Sequence, residues 1–269
     1  MKSKDTILET NIKQKEFYNT KKKNSATKIW SSFRNGVLNK IKKNIGVQDQ
    51  AYILHKKWFG NLADKKVLDL GCFSGNYWSM YLAENAKEYL GIDLSNVAIE
   101  KLNLKLKQFP NAEAKAVDFL SDEFTSNDFD LIYAYGVLHH FENTTILIDR
   151  LNEKLNLGGE IISYDPLETS LPIKFLRTLY RPFQSDAAWE WPFTRKVYYQ
   201  FQNSFEIIER RGVLGKAKWI AIINMLPISN EKKKSIGQRW HKEDWDYSKT
   251  SESVLFSCMH ITMLMKKKI

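Results

Sequence analysis

Acidic and small residues follow a short apolar segment near position 70. Val67–Leu70 contains Asp69, and Gly71, Phe73 and Gly75 lie within the five residues after it. Small residues in a turn let a ligand lie against the backbone, and ligands of open parallel sheets bind at the carboxyl ends of the strands. The stretch therefore predicts a buried strand, a ligand-binding turn and the start of a helix.

A second acidic residue lies where the next apolar segment ends. Asp93 follows Tyr89–Ile92 and is 22 residues beyond Gly71. A carboxylate at such a strand end accepts hydrogen bonds from both hydroxyls of a ribose, so the two acidic strand ends predict a nucleoside site. A dinucleotide is disfavoured because its pyrophosphate needs a G-x-G-x-x-G turn, whereas Gly71 and Gly75 are four apart with Phe73 between them.

Two adjacent histidines, His139 and His140, come shortly after a further apolar segment, Phe129–Ala134. Histidine titrates near neutral pH and is therefore able to remove a proton from a reacting hydroxyl. Both are candidate general bases, with His140 preferred. The alternative is that one ring hydrogen-bonds the backbone while the other is merely at the surface.

Alternating strands and helices must position these residues. Short apolar runs alternate with amphipathic stretches from Lys66 onward, which is typical of a parallel sheet covered by helices. Strands are predicted at 67–70, 89–92, 114–117, 129–134 and 159–164, and helices at 76–84, 96–107 and 144–156. Ser95 is the expected N-cap of the helix that begins at 96.

The flanking regions follow other patterns. Residues 1–27 are weakly periodic and are expected to be mobile at the start, whereas helices are predicted at 28–45 and 50–60. Beyond Asp165 the alternation ends. The remaining segments are two strands, at 205–210 and 254–265, a mostly helical stretch at 167–202, and a segment with an apolar core and a charged end at 214–250.

Composition excludes several classes of protein. The 269 residues include 35 aromatic side chains, too many for a disordered chain. The apolar run that begins at Trp219 stops at Asn224, well short of the roughly 20 residues of a membrane span, and the first residues lack the apolar region of a secretory signal. Cys72 and Cys258 form no disulfide framework and have no zinc spacing. We therefore expect a reduced, cytoplasmic protein without a metal site.

Five motifs in chain order, between about 67 and 165, make the sequence resemble the class I S-adenosylmethionine-dependent methyltransferases. The stretch VLDLGCFSGN, which begins at Val67, is similar to their first motif. Asp93 matches the acidic end of their second strand, and Val117-Asp118-Phe119 matches their third motif. The strand that begins at Phe129 matches their fourth strand, and the Leu138-His139-His140 that follows it is typical of the type 11 subgroup. The turn Leu157-Gly158-Gly159 matches the one before their fifth strand. The match is specific for the superfamily and not for a substrate.

The resemblance implies a doubly wound α/β fold with a seven-stranded, Rossmann-like sheet. In the family the seventh strand, here about 254–265, runs antiparallel between the fifth and the sixth. We expect an N-terminal helical extension over residues 1–60 and a methyltransferase domain over 61–269. Within that domain, 167–202 and 214–250 are expected to be inserts that cap the acceptor.

The resemblance also implies S-adenosyl-L-methionine as the cofactor. Asp69 would orient the methionine end, the backbone near Gly71 would line it, Asp93 would hold the ribose, and Leu94 would pack on the adenine. The full set of implied cofactor-binding residues is Asp69, Gly71, Phe73, Gly75, Asp93, Leu94, Asp118, Phe119, Tyr135 and Gly136. Of these, Asp118 and Phe119 would close the adenine pocket.

The methyl end of the implied site brings two further expectations. Tyr135 and Gly136, at the end of the fourth strand, would border the sulfonium, and Tyr18 and Trp30 would close over the cofactor unless they are ordinary packing residues. Phe73 departs from the family, which has glycine there. Because a bulky side chain resists positive φ, the loop is expected to follow another path or Phe73 to pack beside the cofactor.

The expected activity is methyl transfer to an oxygen or carbon of a small molecule, a glycan or a lipid-linked precursor. One alternative is a non-catalytic subunit that binds S-adenosylmethionine for regulation. Another is an RNA methyltransferase. The basic composition is consistent with RNA binding, although the sequence contains no recognisable nucleic-acid module. The sequence does not indicate an oligomeric state.

Basic charge is concentrated at the beginning of the chain. Residues 1–66 carry 16 Lys and Arg against 5 Asp and Glu, whereas the net charge of the whole chain is +10. The predicted helix 28–45 has an apolar stripe flanked by basic residues, and 216–227 combines Trp219 with aliphatic residues between lysines. Such composition is typical of helices that lie in a lipid headgroup layer. It predicts peripheral contact with an anionic membrane at its inner surface, unless both stripes pack on the core.

Overall fold

Seven strands form one sheet in the computed structural model, which describes residues 4–20, 45–183 and 187–268 together with 32, 36, 39, 42 and 43. The strands are β1 Lys66–Leu70, β2 Glu88–Asp93, β3 Ala112–Ala116, β4 Phe129–Tyr135, β5 Leu155–Pro166, β6 Phe205–Val213 and β7 His260–Lys267. Their order is β3-β2-β1-β4-β5-β7-β6, and β7 runs antiparallel to both of its neighbours. The predicted fold class and the place of the last strand are confirmed.

Helices precede, connect and follow these strands. They are α1 Lys4–Thr20, α2 Val47–Phe59, α3 Tyr77–Asn85, α4 Asn96–Leu106, α5 Thr144–Lys154, α6 Leu171–Tyr180, α7 Arg195–Ser204, α8 Ile220–Ile223, α9 Asn230–Tyr247 and α10 Glu252–Leu255. A 3₁₀ turn, Leu138–His140, follows β4. The Ser95 hydroxyl accepts a hydrogen bond from the amide of Ala98 at 3.2 Å, which confirms the predicted N-cap of α4.

The core lies in two layers, one on each face of the sheet. Val67 and Leu131 belong to the layer beneath α2 and α3, whereas Leu68 and Ile132 belong to the layer beneath α5 and α7. Neighbouring side chains of a strand point to opposite faces, and a strand covered on both faces reads as a continuous apolar run. This is why the short central strands could be located from the sequence.

Two flanking segments differ in detail from the sequence predictions. Residues 4–20 form the helix α1 within the expected helical extension, and it was not predicted as a separate helix because its buried positions include polar Gln14 as well as apolar Ile7. The predicted strand 254–265 begins only at His260, since Ser251 caps the short helix α10 before it. Most of the predicted helix 28–45, including Trp30, lies outside the described residues.

Candidate active site

A cavity of about 260 Å³ opens at the carboxyl ends of β1, β2 and β4. Eight of the residues predicted from the sequence lie together in its wall. They are Gly71, Phe73, Asp93, Leu94, Asp118, Phe119, Gly136 and His140. The other lining residues are Asn11, Gln14, Tyr18, Leu70, Ile92, Val117, Val137 and Phe141. The acidic ends of different strands therefore meet at one site, as the parallel topology requires.

The turn after β1 has positive φ angles at Gly71, Phe73 and Gly75, although the sequence predicted that Phe73 would avoid them. Phe73 has φ 48°, between Gly71 at 72° and Gly75 at 75°, so the expectation that a bulky residue would avoid positive φ is wrong. The amide of Phe73 donates a hydrogen bond to Oδ2 of Asp93 at 3.1 Å. That bond compensates part of the backbone strain, and the Phe73 side chain lines the cavity as the second expectation proposed.

The start of α3 completes this turn. The Asn76 side chain accepts hydrogen bonds from the amides of Trp78 and Ser79, and the Ser79 hydroxyl accepts one from the amide of Asn76. This capping box ends the loop at a fixed residue. A Cβ atom on Gly75 would lie 2.6 Å from Cδ1 of Leu102, so Gly75 lets α3 and α4 approach each other behind the cavity.

Two carboxylates present hydrogen-bond acceptors to the cavity. Besides the bond from Phe73, Asp93 accepts one from the amide of Ser95 at 2.8 Å through Oδ1. Asp118 accepts bonds from the amide of Leu120 and from the side-chain amide of Asn11, the latter at 2.7 Å. Burial raises the pKa of Asp118 above its usual range. Each carboxylate is oriented by its backbone partner while it faces the cavity.

Helix α1 forms the roof of the cavity. Asn11, Gln14 and Tyr18 lie one helical turn apart on the face that lines it, and Gln14 is buried. The Asn19 side chain accepts a hydrogen bond from the Ser95 hydroxyl at 2.8 Å. The sequence analysis predicted closure by Tyr18, and the position of its ring agrees with that. It missed Asn11 and Gln14, whose only signal is their shared spacing with Tyr18.

The two histidines are held in different ways at the other end of the cavity. Nδ1 of His140 lies 2.6 Å from the carbonyl oxygen of Trp189, and its ring meets the Tyr18 ring edge-on with centroids 6.1 Å apart. His139 is buried and its Nδ1 lies 2.9 Å from Oδ1 of Asp165, which also accepts the His139 amide. His140 lines the cavity, whereas His139 supports the 3₁₀ turn from behind.

Asp165 is a site residue that was not predicted from the sequence, whereas the segment around Trp189 belongs to the insert 167–202 that was expected to cap the acceptor. Asp165 lies near the end of β5 and is fully buried, and the amide of Trp191 donates a hydrogen bond to the carbonyl of His139 at 2.7 Å. The available signal was that Asp165 is a third acidic residue at a strand end, after Asp69 and Asp93. The insert after β5 thus fixes both histidines.

Four predicted residues do not line the cavity: Asp69, Gly75, Tyr135 and His139. Asp69 points to the opposite face of β1 from Leu70, because side chains alternate along a strand. There it accepts a hydrogen bond from the Tyr89 hydroxyl at 2.8 Å. Tyr135 lies on that face too and stacks on Tyr164 with ring centroids 4.9 Å apart. Their roles toward the cofactor stay predictions.

Asp69 is expected to make stability depend on pH. Burial raises the pKa of Asp69 to about 6, although hydrogen bonds from Ser79 and Tyr89 oppose the shift. A raised carboxyl pKa stabilises the folded state at low pH, and this contribution is lost as pH rises from about 4 through 6. Asp69→Asn should therefore gain about 3 kcal/mol in free energy of unfolding relative to wild type between pH 4 and pH 8. Denaturant unfolding measures this, and a difference independent of pH would contradict it.

The cavity suits an adenosyl group. Asp93 and Asp118 supply acceptors for hydroxyl and amino hydrogens, and Leu94 and Phe119 supply apolar surface between them. A Cβ atom on Gly71 would collide with Val137, so the backbone at that turn leaves no room for a side chain. Among the described residues there is no cluster of His, Cys, Asp and Glu able to hold a metal ion.

Comparison with known proteins agrees with this arrangement. Residues 49–209 match the family described as Methyltransferase domain. The tRNA U34 carboxymethyltransferase of Nautilia profundicola is 35% identical over 105 residues, which are 38% of this chain and 34% of that relative. The carboxy-S-adenosyl-L-methionine synthase of Helicobacter pylori is 29% identical over 191 residues, or 63% of this chain and 78% of that one. The chain thus spans about a third of the length of the first of these relatives.

A solved structure shows the same fold. The N-methyltransferase NodS from Bradyrhizobium japonicum WM9, in complex with S-adenosyl-L-homocysteine, superimposes with a TM-score of 0.53 at 16% identity. The superposition covers 82% of this chain and 87% of that one. None of the helices in the described part of the chain is long and apolar enough to cross a bilayer.

Proposed function

The chain belongs to the methyltransferase domain family, as a class I S-adenosylmethionine-dependent methyltransferase, and from that premise we propose that it methylates an oxygen or carbon of a small molecule. Glycans and lipid-linked precursors are included in this class. The observation that carries the proposal is a cofactor cavity roofed by α1, with a histidine held at its edge. The preference for a small acceptor over RNA rests on the residues of the cavity wall.

The residues of the cavity have separate tasks in this reaction. The cofactor, when bound, supplies a methyl group on a positively charged sulfur. Asp93 and Asp118 would hold its ribose and adenine ends, and the backbone near Gly71 would line its methionine end. Asn11, Gln14 and Tyr18 of α1 cover one side of the cavity, where they would help to exclude water and to align the acceptor for in-line displacement.

His140 would take up the proton that an oxygen acceptor loses. A carbonyl oxygen only accepts hydrogen bonds, so Nδ1 of His140 carries the hydrogen shared with Trp189. Nε2 is then the basic nitrogen of the neutral ring. When the bound cofactor gives its methyl group to an acceptor oxygen, that oxygen would lose its O–H proton to Nε2 of His140. His139 and Asp165 position the turn that carries this ring.

An RNA acceptor is less consistent with the cavity. The relatives that act on tRNA match only part of this chain, and the described residues of the cavity wall include no lysine or arginine. Nucleic-acid sites need basic side chains to neutralise phosphates. A small acceptor is therefore favoured at this cavity.

Transfer of a labelled methyl group tests the proposed acceptor class. The full chain is incubated with methyl-labelled S-adenosylmethionine and cell extract, and the extract is then separated into small molecules, lipids, RNA and protein. We expect label in the small-molecule or lipid fraction, and no loss of it after ribonuclease treatment. Label that ribonuclease releases would overturn the proposal in favour of RNA. No transfer despite normal donor binding would indicate the regulatory alternative.

A further inference from the structure

Helix α6 has an apolar stripe that no described part of the chain covers. Leu171, Phe175 and Leu179 are 80%, 65% and 58% exposed. Their spacing of four residues places them on one face of the helix. Large apolar side chains grouped on a surface indicate a site of interaction with a partner or membrane.

The charge of α6 indicates the chemistry of that partner. From Leu171 to Arg181 the sequence contains Lys174, Arg177 and Arg181 and no acidic residue, and the side chains of Lys174 and Arg181 are exposed. A short helix with an apolar stripe and only basic charges is typical of segments that lie in the headgroup layer of an anionic bilayer.

A second apolar group lies after β6. Trp219, Ile222, Met225 and Leu226 are exposed, Met225 by 84%. They precede Lys232, Lys233 and Lys234 at the start of α9, of which the first and last are exposed. The structure thus refines the stripe that the sequence indicated at 216–227, because Ile220 is buried in the core and Met225 is the most exposed apolar residue there.

Not every basic residue near this second group faces outward. Lys216 pairs with Glu243 at 2.8 Å, and the Lys218 ammonium donates to the carbonyl of Ser257 at 2.6 Å. Ile45, at the end of the predicted helix 28–45, is buried and would touch a Cβ placed on Gly237 of α9. Lys233 likewise donates to the carbonyl of Asn224 at 3.0 Å, so Lys232 and Lys234 are the exposed charges of this part of α9 that the proposal uses.

Both apolar groups lie at the edge of the sheet where the cavity opens. Helix α6 follows the carboxyl end of β5, and the segment from Trp219 to Leu226 follows the carboxyl end of β6. These two strands run in the same direction, because each is antiparallel to β7 between them. Strands β1 to β4 are parallel to β5, and the cavity lies at their carboxyl ends.

We propose that this edge docks on an anionic lipid bilayer. The lipid-facing surface consists of the α6 stripe and the segment from Trp219 to Leu226, with Lys174, Arg181, Lys232 and Lys234 against the anionic headgroups. Each basic residue near such a surface adds to the attraction, and the apolar side chains insert below it. The cavity would then open toward the membrane, where a lipid-linked acceptor too insoluble to diffuse in water is presented.

Vesicle sedimentation with the full chain tests this proposal without knowledge of the acceptor. One set of vesicles is phosphatidylcholine alone, and the other contains one third phosphatidylglycerol. We expect binding to the anionic vesicles only, weakened by high salt as screening reduces the charge attraction. Phe175→Glu and Met225→Glu should each lower the partition constant about tenfold or more, because each removes a large inserted side chain.

A matched control tests whether binding depends on this surface or on any exposed apolar residue. Leu157 is also 80% exposed but lies near the amino end of β5, at the opposite edge of the sheet. Leu157→Glu should bind anionic vesicles like the wild type. Circular dichroism and binding of S-adenosyl-L-homocysteine establish that each variant is folded.

Three results would overturn the proposal. The first is no binding to anionic vesicles at low salt. The second is equal binding by wild type, Phe175→Glu and Met225→Glu, which would leave only diffuse charge attraction. The third is a dimer in sedimentation velocity that Phe175→Glu or Met225→Glu dissociates, since a second copy of the chain would then cover this surface. Failure of the methyl-transfer assay does not affect any of these outcomes.

Discussion

Replacing His140 with alanine is expected to slow methyl transfer about 10²–10⁴-fold while leaving the affinity for S-adenosyl-L-homocysteine close to that of the wild type. The ring is held at the cavity by the Trp189 carbonyl and Tyr18, and its loss would remove the proposed acceptor of the proton. The rate is measured with labelled donor and the acceptor fraction identified in the extract assay. Wild-type activity should also fall in acid, because a protonated imidazole accepts no proton.

Two comparisons keep this prediction specific. His140→Gln retains a polar side chain of similar length but supplies no base, so it should be as slow as the alanine variant. His139→Ala disturbs the turn through the lost bond to Asp165 and should affect donor affinity and rate together. A rate for His140→Gln equal to the wild type, or a parallel loss of donor binding in His140→Ala, would show that His140 is structural.

Asp93→Ala is expected to weaken binding of S-adenosyl-L-homocysteine by about 2 kcal/mol or more, which is roughly 30-fold in the dissociation constant. The substitution would remove the proposed acceptor for the ribose hydroxyls and leave them unpaired in the cavity. It also removes the acceptor of the Phe73 amide, whereas the amides of Gly71 and Cys72 still donate to the carbonyl of Ile92 and keep the turn attached to β2. Titration calorimetry at neutral pH measures the affinity.

The controls for Asp93 address charge and folding. Asp93→Asn keeps one carbonyl oxygen for the amide of Ser95 or of Phe73 and should lose less affinity than the alanine variant. Asp149→Ala removes an exposed carboxylate from α5 and should bind like the wild type. If Asp93→Ala is folded and binds with unchanged affinity, the assignment of this carboxylate to the cofactor is wrong.

The sequence by itself determined the sheet and the acidic strand ends. Each central strand is a short apolar run, because both of its faces are buried beneath helices. The turn after β1, the end of β2 and the histidines after β4 are local features of these runs. Their convergence at one cavity follows from parallel topology, in which the carboxyl ends of strands lie at one edge.

Only the tertiary structure decided how the cavity is enclosed. Helix α1 shows weak periodicity because its inner face carries polar Asn11 and Gln14, and the partner of Asn11, Asp118, is 107 residues away in the sequence. The face of the sheet to which the Asp69 side chain points was also decided by the tertiary structure. Side chains alternate along a strand, and the residue at which β1 begins is set by its pairing with β2.

Long-range contacts also determined the chemistry of the histidines and the exposed surface. The sequence ranked His140 above His139 but gave no reason, which came from the carbonyl of Trp189 and the carboxylate of Asp165. Likewise, the apolar residues of α6 and of 219–226 have the pattern of core positions in the sequence, whereas they are exposed in the fold. Local pattern encodes which residues are apolar or titratable, whereas burial and hydrogen-bond partners are properties of the packed chain, because they depend on groups far away in the sequence.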